Sequence, residues 1–384
     1  MFQIVDKKVF LDYPLGHHLH CMISQIPNDL RVIDNQVEED AIAAKWALIK
    51  SVMNLVATRA GNLKKLHFLL FPEATLPTCH LDDALALIEQ SFCTNTVTML
   101  GMEHLRLSLF QGVVERFADD NQELLQSIVD DLDSADIADL HVNWAVIVVK
   151  EGSGRVRVFL QAKSHPFVGE ESLDHRDLYH GKVFPLFRSY PTGFNFMAMI
   201  CFDYIYRTIY QSNINTVIQH ANELFFSTRQ HLDFLAVLEC NPKPEHDTFR
   251  DVINGFYGEY LAAAPGVRDT ITAFCNSSGQ TRDYLPHVSA EDTFGYSSVM
   301  IHKKYRMACE QLNDFKIDDF SGLPIRRLRF GCETRLYYFN LPVFYEFDLR
   351  STRMPLKVHS IFESTAQGGW QLVNFSPNPA SSSV

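Results

Sequence analysis

Glu73, Lys163 and Cys201 each stand at the end of an apolar, strand-like run: Leu66-His-Phe-Leu-Leu-Phe-Pro-Glu73, Val158-Phe-Leu-Gln-Ala-Lys163 and Phe196-Met-Ala-Met-Ile-Cys201. A thiol attacks well only as the thiolate, so a catalytic cysteine needs a base or a positive field beside it. A carboxylate can take that proton and later pass it to a leaving amine, or activate water. A lysine can stabilise the oxyanion of a tetrahedral intermediate, together with a backbone N–H next to the nucleophile. The residue types thus suit Cys201 as nucleophile, Glu73 as base and Lys163 at the oxyanion, with the Phe202 N–H as second donor. Such a set cleaves an amide or nitrile through a thioester: ammonia or an amine leaves first, and water releases the acid.

Each residue also has a plainer reading. A cysteine in an apolar run is more often core than nucleophile. Glu73 after Phe-Pro can simply complement a helix dipole, and Lys163 can be an ordinary strand-end lysine. The common placement at strand ends, where α/β folds build their sites, favours the joint reading.

The elements that must position these residues follow from periodicity. Short apolar runs predict strands at 19–25, 66–71, 96–101, 143–150, 155–162, 194–200, 233–239, 270–275 and 297–302. Longer amphipathic patterns predict helices at 38–60, 81–92, 121–132, 213–229 and 247–263. Their alternation predicts an α/β layered fold. Gly152-Ser-Gly154 between two apolar runs is a hairpin signal, so the sheet is expected to be mixed. No internal repeat and no splitting linker is evident.

The composition, 46% hydrophobic and 21% charged over 384 residues, is that of an ordinary globular chain. A formal charge of -12 argues against non-specific binding to nucleic acid or to anionic membranes. Arg326, Arg327 and Arg329 read as a solvated edge, and the acids between Asp119 and Asp139 as an exposed helix and loop. The eight cysteines lack a C-x-x-C pair and read as reduced thiols. No signal peptide and no apolar stretch long enough to span a bilayer is expected, which points to the cytoplasm. The last residues, from about Ser376, have no apolar anchor and read as a disordered tail.

The flanking residues sharpen the site. Phe71-Pro72-Glu73, Lys163-Ser-His-Pro166-Phe-Val-Gly-Glu170 and Cys201-Phe-Asp203 follow one another in the order F-P-E, K-x-x-P-x-x-x-E, C-[WYF]-[DE]. This pattern resembles the nitrilase (carbon–nitrogen hydrolase) superfamily, and the Cys-Phe-Asp form its amidase-like branches. The likeness extends to a first strand ending in Gln25, to Asn143, and to Phe274-Cys-Asn276 with Gly295-Tyr-Ser297-Ser298. It spans residues 19–350, with 1–18 and 351–384 as extensions.

The resemblance implies an αββα sandwich of two mixed sheets with outer helices. It also implies a Glu73–Lys163–Cys201 triad, Glu170 as an accessory carboxylate, no cofactor, a small amide or nitrile substrate, and a homodimer or larger homo-oligomer. Nitrilase-like domains also serve as interaction modules beside unrelated partners, including reverse transcriptases of anti-phage assemblies, and that is the alternative. Two departures bear on the substrate. Tyr204-Ile-Tyr-Arg207-Thr replaces the family's arginine-phenylalanine-proline-glutamate stretch, and segments 102–140 and 303–335 are long, where pocket walls and lids would be.

Other clusters have simpler readings. His17, His18, His20 and Cys21 look like metal ligands, but no second cluster has ligand spacing and no metal is expected. Trp46, Phe256, Tyr257 and Tyr260 read as core or interface; Tyr204, Tyr206 and Tyr210 read by default as packing, with lining of a pocket as the alternative. Asn276 and Ser297 read as structural hydrogen-bonders. Nucleotide-binding, metalloprotease and serine-hydrolase motifs are absent.

Overall fold

Side-chain alternation along the strands generates three apolar layers. In the run 232–239, Phe234, Ala236 and Leu238 face one core, while Leu235 and Val237 face another. A strand buried on both faces reads as a continuous apolar run, as these do. The protein, seen here as a computed structural model, is described over residues 2–13, 19–30, 32–33, 36–37, 39–60, 63, 65–165, 178–205, 213–226, 230–244, 251, 270–282, 294–305, 307, 315–320, 322–342 and 356–373.

The first sheet runs in the order Gln3–Leu11 (β1), Val183–Pro191 (β9), Asn195–Ile200 (β10), Leu232–Glu239 (β11), Ile271–Asn276 (β12), Ser298–His302 (β13), Ile325–Arg329 (β15) and Lys316–Asp319 (β14). The second runs Trp370–Leu372 (β18), Lys357–Ser364 (β17), Arg335–Leu341 (β16), Leu19–Gln25 (β2), Phe68–Leu70 (β5), Thr96–Arg106 (β6), His141–Lys150 (β7) and Val156–Ala162 (β8). Val32–Ile33 (β3) and Gln36–Val37 (β4) make a small separate ribbon. Both large sheets are mixed: β10, β11 and β12 are parallel, as are β2, β5 and β6, while most flanking pairs are antiparallel. Gly154, at φ +88°, closes the expected hairpin between β7 and β8.

The sheets pack face to face on an aromatic-rich layer. Phe68 of one sheet meets Phe196 and Phe234 of the other at 5.3 and 5.0 Å between ring centroids. Burying each such ring stabilises by about 1.5–3 kcal/mol. Glu39–Thr58 (α1), Leu81–Ser91 (α2), Leu107–Arg116 (α3) and Ala118–Ser134 (α4) cover the outer face of the second sheet. Phe202–Ile205 (α5) and Asn213–Phe226 (α6) cover the first. This is the expected αββα sandwich.

Charges hold the helices in place. Asp82 and Asp83 complement the N-terminal dipole of α2, and buried Lys150 caps its far end through the carbonyls of Ile88 (3.2 Å) and Phe92 (2.7 Å). The acidic helix α4 is more than a solvated face. Its Asp120, Glu123 and Asp131 pair with Arg157, Lys7 and Lys182 on or beside sheet strands. Arg326, Arg327 and Arg329 of β15 are matched by Asp318 and Asp319 of edge strand β14.

Some expectations need correction. Helix α1 is, by length and composition alone, apolar enough to cross a bilayer; in the fold its stripe from Ala41 to Val56 is buried against the sheet. Helices α3 and α4, within segment 102–140, pack Phe110, Val114, Leu124 and Ile128 in the outer core with Trp144. Strands β1, β3, β4, β9 and β14–β18 lie outside the expected set. Several carry charges or proline, and β1, β14 and β18 are sheet edges, where a clean apolar run is not required. The helix expected at 247–263 (apart from residue 251), the tail from 376, and His17, His18, Tyr206, Tyr210, Phe256, Tyr257 and Tyr260 lie outside the described residues.

Gly101 of β6 lies beneath the Glu73 turn. A Cβ there would meet the Pro72 carbonyl oxygen at 2.2 Å and the Glu73 Cα at 2.4 Å. Gly101→Ala is therefore expected to destabilise the fold by about 1–3 kcal/mol in denaturant unfolding, because backbone must move. Unchanged stability would show that the turn yields freely.

Candidate active site

The Glu73 turn is built by local sequence. Pro72 cannot extend the ladder of β5. Ala74 turns the chain at φ +54°, and the Thr75 hydroxyl donates to the Pro72 carbonyl at 2.8 Å. The amides of Thr75 and Leu76 both donate to the Gly101 carbonyl, at 3.0 and 2.9 Å. Behind the turn, Asn28 Nδ2 donates to the Glu73 and Ala74 carbonyls at 3.2 and 2.9 Å, and buried Lys45 Nζ reaches the Ala74 carbonyl at 3.2 Å.

Lys163 continues β8. Its N–H donates to the Asn143 carbonyl at 2.8 Å, and its own carbonyl accepts from Gly181 at 2.9 Å. Cys201 ends β10 on the opposite sheet. Its N–H donates to the Leu238 carbonyl at 2.8 Å, its φ is +42°, and α5 starts at the next residue. A residue with a Cβ in that region is strained, and sharp strand-to-helix turns of this kind present nucleophiles. Phe202 opens α5, so its N–H precedes the helix's own hydrogen bonds.

The structure brings Glu73 and Lys163 into direct contact, with Lys163 Nζ 2.7 Å from Glu73 Oε1. The side chains are 4% and 1% exposed, which makes this a buried ion pair rather than a surface one. Asn143 Nδ2 donates to the same Glu73 oxygen at 2.7 Å. Glu73 Oε2 accepts the Cys240 N–H at 3.0 Å. Cys240 lies just past the end of β11, the strand beside Cys201, so this bond crosses from one sheet to the other and joins the thiol's neighbourhood to the carboxylate. Glu170 lies outside the described residues.

Three further groups belong to this end of the sandwich. Asp203, two residues past Cys201, accepts at Oδ1 from the Ser164 N–H (2.9 Å), the His165 N–H (2.8 Å) and the Ser164 hydroxyl (3.1 Å). Burial pushes its carboxyl up to about 7, against the pull of Lys163 and those donors. Glu239, buried at the end of β11, was missed. Burial, and then the neighbouring Glu73 charge, pushes it up to about 8. Its signal was available: one acid closing the apolar run Leu232–Glu239, as Glu73 closes its own. Cys240 was missed too, because its contribution is a backbone amide, which any residue except proline would supply.

The remaining predicted polar residues organise the seam. Asn276 Nδ2 donates to the carbonyls of Asn241 and Gly295 at 2.9 and 2.8 Å, and Gln25 Oε1 accepts the Ser297 N–H at 2.9 Å. Tyr204 is fully buried edge-on against Phe274. His20 is buried in a ring stack with Tyr338 and His67, and Cys21 faces the inter-sheet core. Among the described residues, no three His, Cys, Asp or Glu converge to hold a metal ion, and none of the seven described cysteines forms a disulfide.

Asp203 and Glu239 carry protons in the folded chain that the unfolded chain has released. Between the ordinary carboxyl range and the raised values, the native state therefore binds more protons, and stability falls as pH rises through that window. Glu239→Gln keeps the neutral form, so its melting temperature should fall less than that of the wild type between about pH 5 and pH 8. Equal slopes in thermal melts would remove Glu239 as a source of the dependence.

No protein-family model matches the chain, and no curated protein matches it. Among solved structures, the chain is similar to a crystal structure of N-terminal amidase, with a TM-score of 0.35 and 12% identity over 64% of this chain and 55% of that one. A crystal structure of N-terminal amidase with an Asn-Glu-Ala peptide gives a TM-score of 0.34 and 11% identity over 64% and 56%. The chain thus spans about half the length of the solved structures it matches.

Proposed function

We propose that this chain is a thiol hydrolase of the nitrilase type, cleaving a non-peptide C–N bond of an amide or carbamoyl compound. The observation that carries the proposal is the buried contact of Lys163 Nζ with Glu73 Oε1 at 2.7 Å, at the same end of the sandwich as the strained Cys201 turn. Ionised side chains are costly to bury, and such a pair contributes little net stability over an apolar one. Its chemical use is the better account of its presence.

In the proposed reaction Glu73 accepts the Cys201 thiol proton and the thiolate attacks the substrate carbonyl. The oxyanion is met by the Lys163 ammonium and the Phe202 N–H. Collapse of the intermediate breaks the C–N bond. Glu73 returns the proton to the amine, leaving a thioester on Cys201. Water, deprotonated by Glu73, then attacks the thioester; its collapse reprotonates the Cys201 sulfur and releases the acid. Asn143 and the Cys240 N–H hold the Glu73 carboxylate so that neither oxygen rotates away. The accessory role of Glu170 remains part of this proposal through the sequence resemblance alone.

The test is turnover of an amide and carbamoyl library, with intact-mass detection of a thioester. Cys201→Ala should lower kcat by about 10⁴-fold or more and abolish iodoacetamide labelling at that position. Lys163→Ala should lower kcat by about 10²–10³-fold with a smaller change in KM. Full turnover in Cys201→Ala would sink the hydrolase reading and leave the interaction-module alternative standing.

A further inference from the structure

We propose that Asp203 is a positioning residue that clamps the Lys163 end of one sheet to the Cys201 turn of the other. The inference rests on the hydrolase reading above and adds a residue to it. A single oxygen, Asp203 Oδ1, accepts from the two backbone amides that directly follow Lys163 and from the Ser164 hydroxyl, at 2.9, 2.8 and 3.1 Å. Asp203 itself lies one residue beyond Phe202, in the single turn of α5 that leaves Cys201. Thus the ammonium and the thiol are each tethered, within two residues of chain, to the same atom.

The surroundings support the clamp. Asp203 is fully buried, and Ser164 is 1% exposed. The Ser164 hydroxyl also meets Asn213 Nδ2 at 3.1 Å and His165 Nδ1 at 2.7 Å, and Asn213 Nδ2 lies 2.8 Å from the same His165 nitrogen. Asn213 is the first residue of α6, so the turn is backed by a second helix. The Cys240 N–H on Glu73 is a second link between the two sheet ends, and it acts on the carboxylate. A misplacement of about 1 Å between reacting groups can cost 10²-fold in rate.

Lone pairs, not charge, are what the clamp uses. With its carboxyl pushed up to about 7, Asp203 is partly protonated near neutrality. A protonated carboxyl still accepts at Oδ1, and Asp203 Oδ2, which would hold the proton, has no hydrogen-bond partner among the described residues. An amide side chain would serve the same three donors, whereas a longer carboxylate would keep the charge and shift the oxygen by a methylene.

Two variants separate the roles. Asp203→Asn keeps the geometry and removes the charge; Asp203→Glu keeps the charge and displaces the geometry. The readouts are kcat, KM and the pH profile of Cys201 alkylation by iodoacetamide, with thermal melts to verify folding. Positioning predicts that D203N stays within about three-fold of wild type in kcat and in alkylation rate. It predicts that D203E loses about 30- to 100-fold in kcat at similar KM, with its alkylation profile moved to higher pH as the thiol loses the ammonium's field. A folded D203N as inactive as Cys201→Ala would overturn the proposal, and so would a D203E with wild-type kcat and alkylation profile. If D203E does not fold, an inactive but folded D203N still overturns the proposal. Alkylation needs no substrate, so the clamp stands or falls separately from the hydrolase reading: a shifted D203E profile in a protein that turns over no amide would overturn only the latter.

Discussion

The Glu73 carboxylate is the point on which this end of the molecule depends. It is buried, and a buried carboxylate must be paired and hydrogen-bonded. Its donors are Lys163 Nζ, Asn143 Nδ2 and the Cys240 N–H, drawn from the ends of β8, β7 and β11. Two belong to its own sheet and one to the opposite sheet. The carboxylate therefore constrains the offset of the two sheets as well as the position of Lys163. A sheet-on-sheet interface of apolar side chains resists separation but specifies sliding weakly; polar contacts at its end supply the register.

The same end concentrates backbone strain and close approach. Ala74 and Cys201 both occupy positive φ, and Gly101 leaves room for the Pro72 carbonyl to sit where a side chain would be. Such features are held only when the surroundings over-determine them. Here Asn28, Lys45, Thr75 and the Gly101 carbonyl hold the Glu73 turn, while Leu238 and Asp203 hold the Cys201 turn. Both turns sit on the ends of buried interior strands, each paired on both sides within its sheet.

Legibility in the sequence followed burial. Strands β2, β5 to β8 and β10 to β13 show as apolar runs, and their ends carry Glu73, Lys163, Cys201 and Asn276; β16 is an exception, buried on both faces yet not read as a strand. Edge strands β1 and β14 have only part of their surface to bury, so Asp6, Lys7, Lys8, Asp318 and Asp319 interrupt the pattern. Helix α3 follows β6 without a break, and its start at Leu107 has no side-chain cap to announce it. Asp203 was visible as part of a tripeptide but not as a clamp, and Glu239 was visible only as the last letter of an apolar run.

From the chain alone one reads which residues can react, which strands carry them, and that two layers of strands lie between helices. The first two are properties of residue type and short-range periodicity, while the two layers of strands were an expectation that the family resemblance implied. The tertiary structure decided which groups meet. Glu73 and Cys240 are 167 positions apart, and Asp203 and Ser164 are 39 apart. No local pattern records such pairings, because they arise only when two separately built sheets are superposed and every buried donor and acceptor at their common end must find a partner.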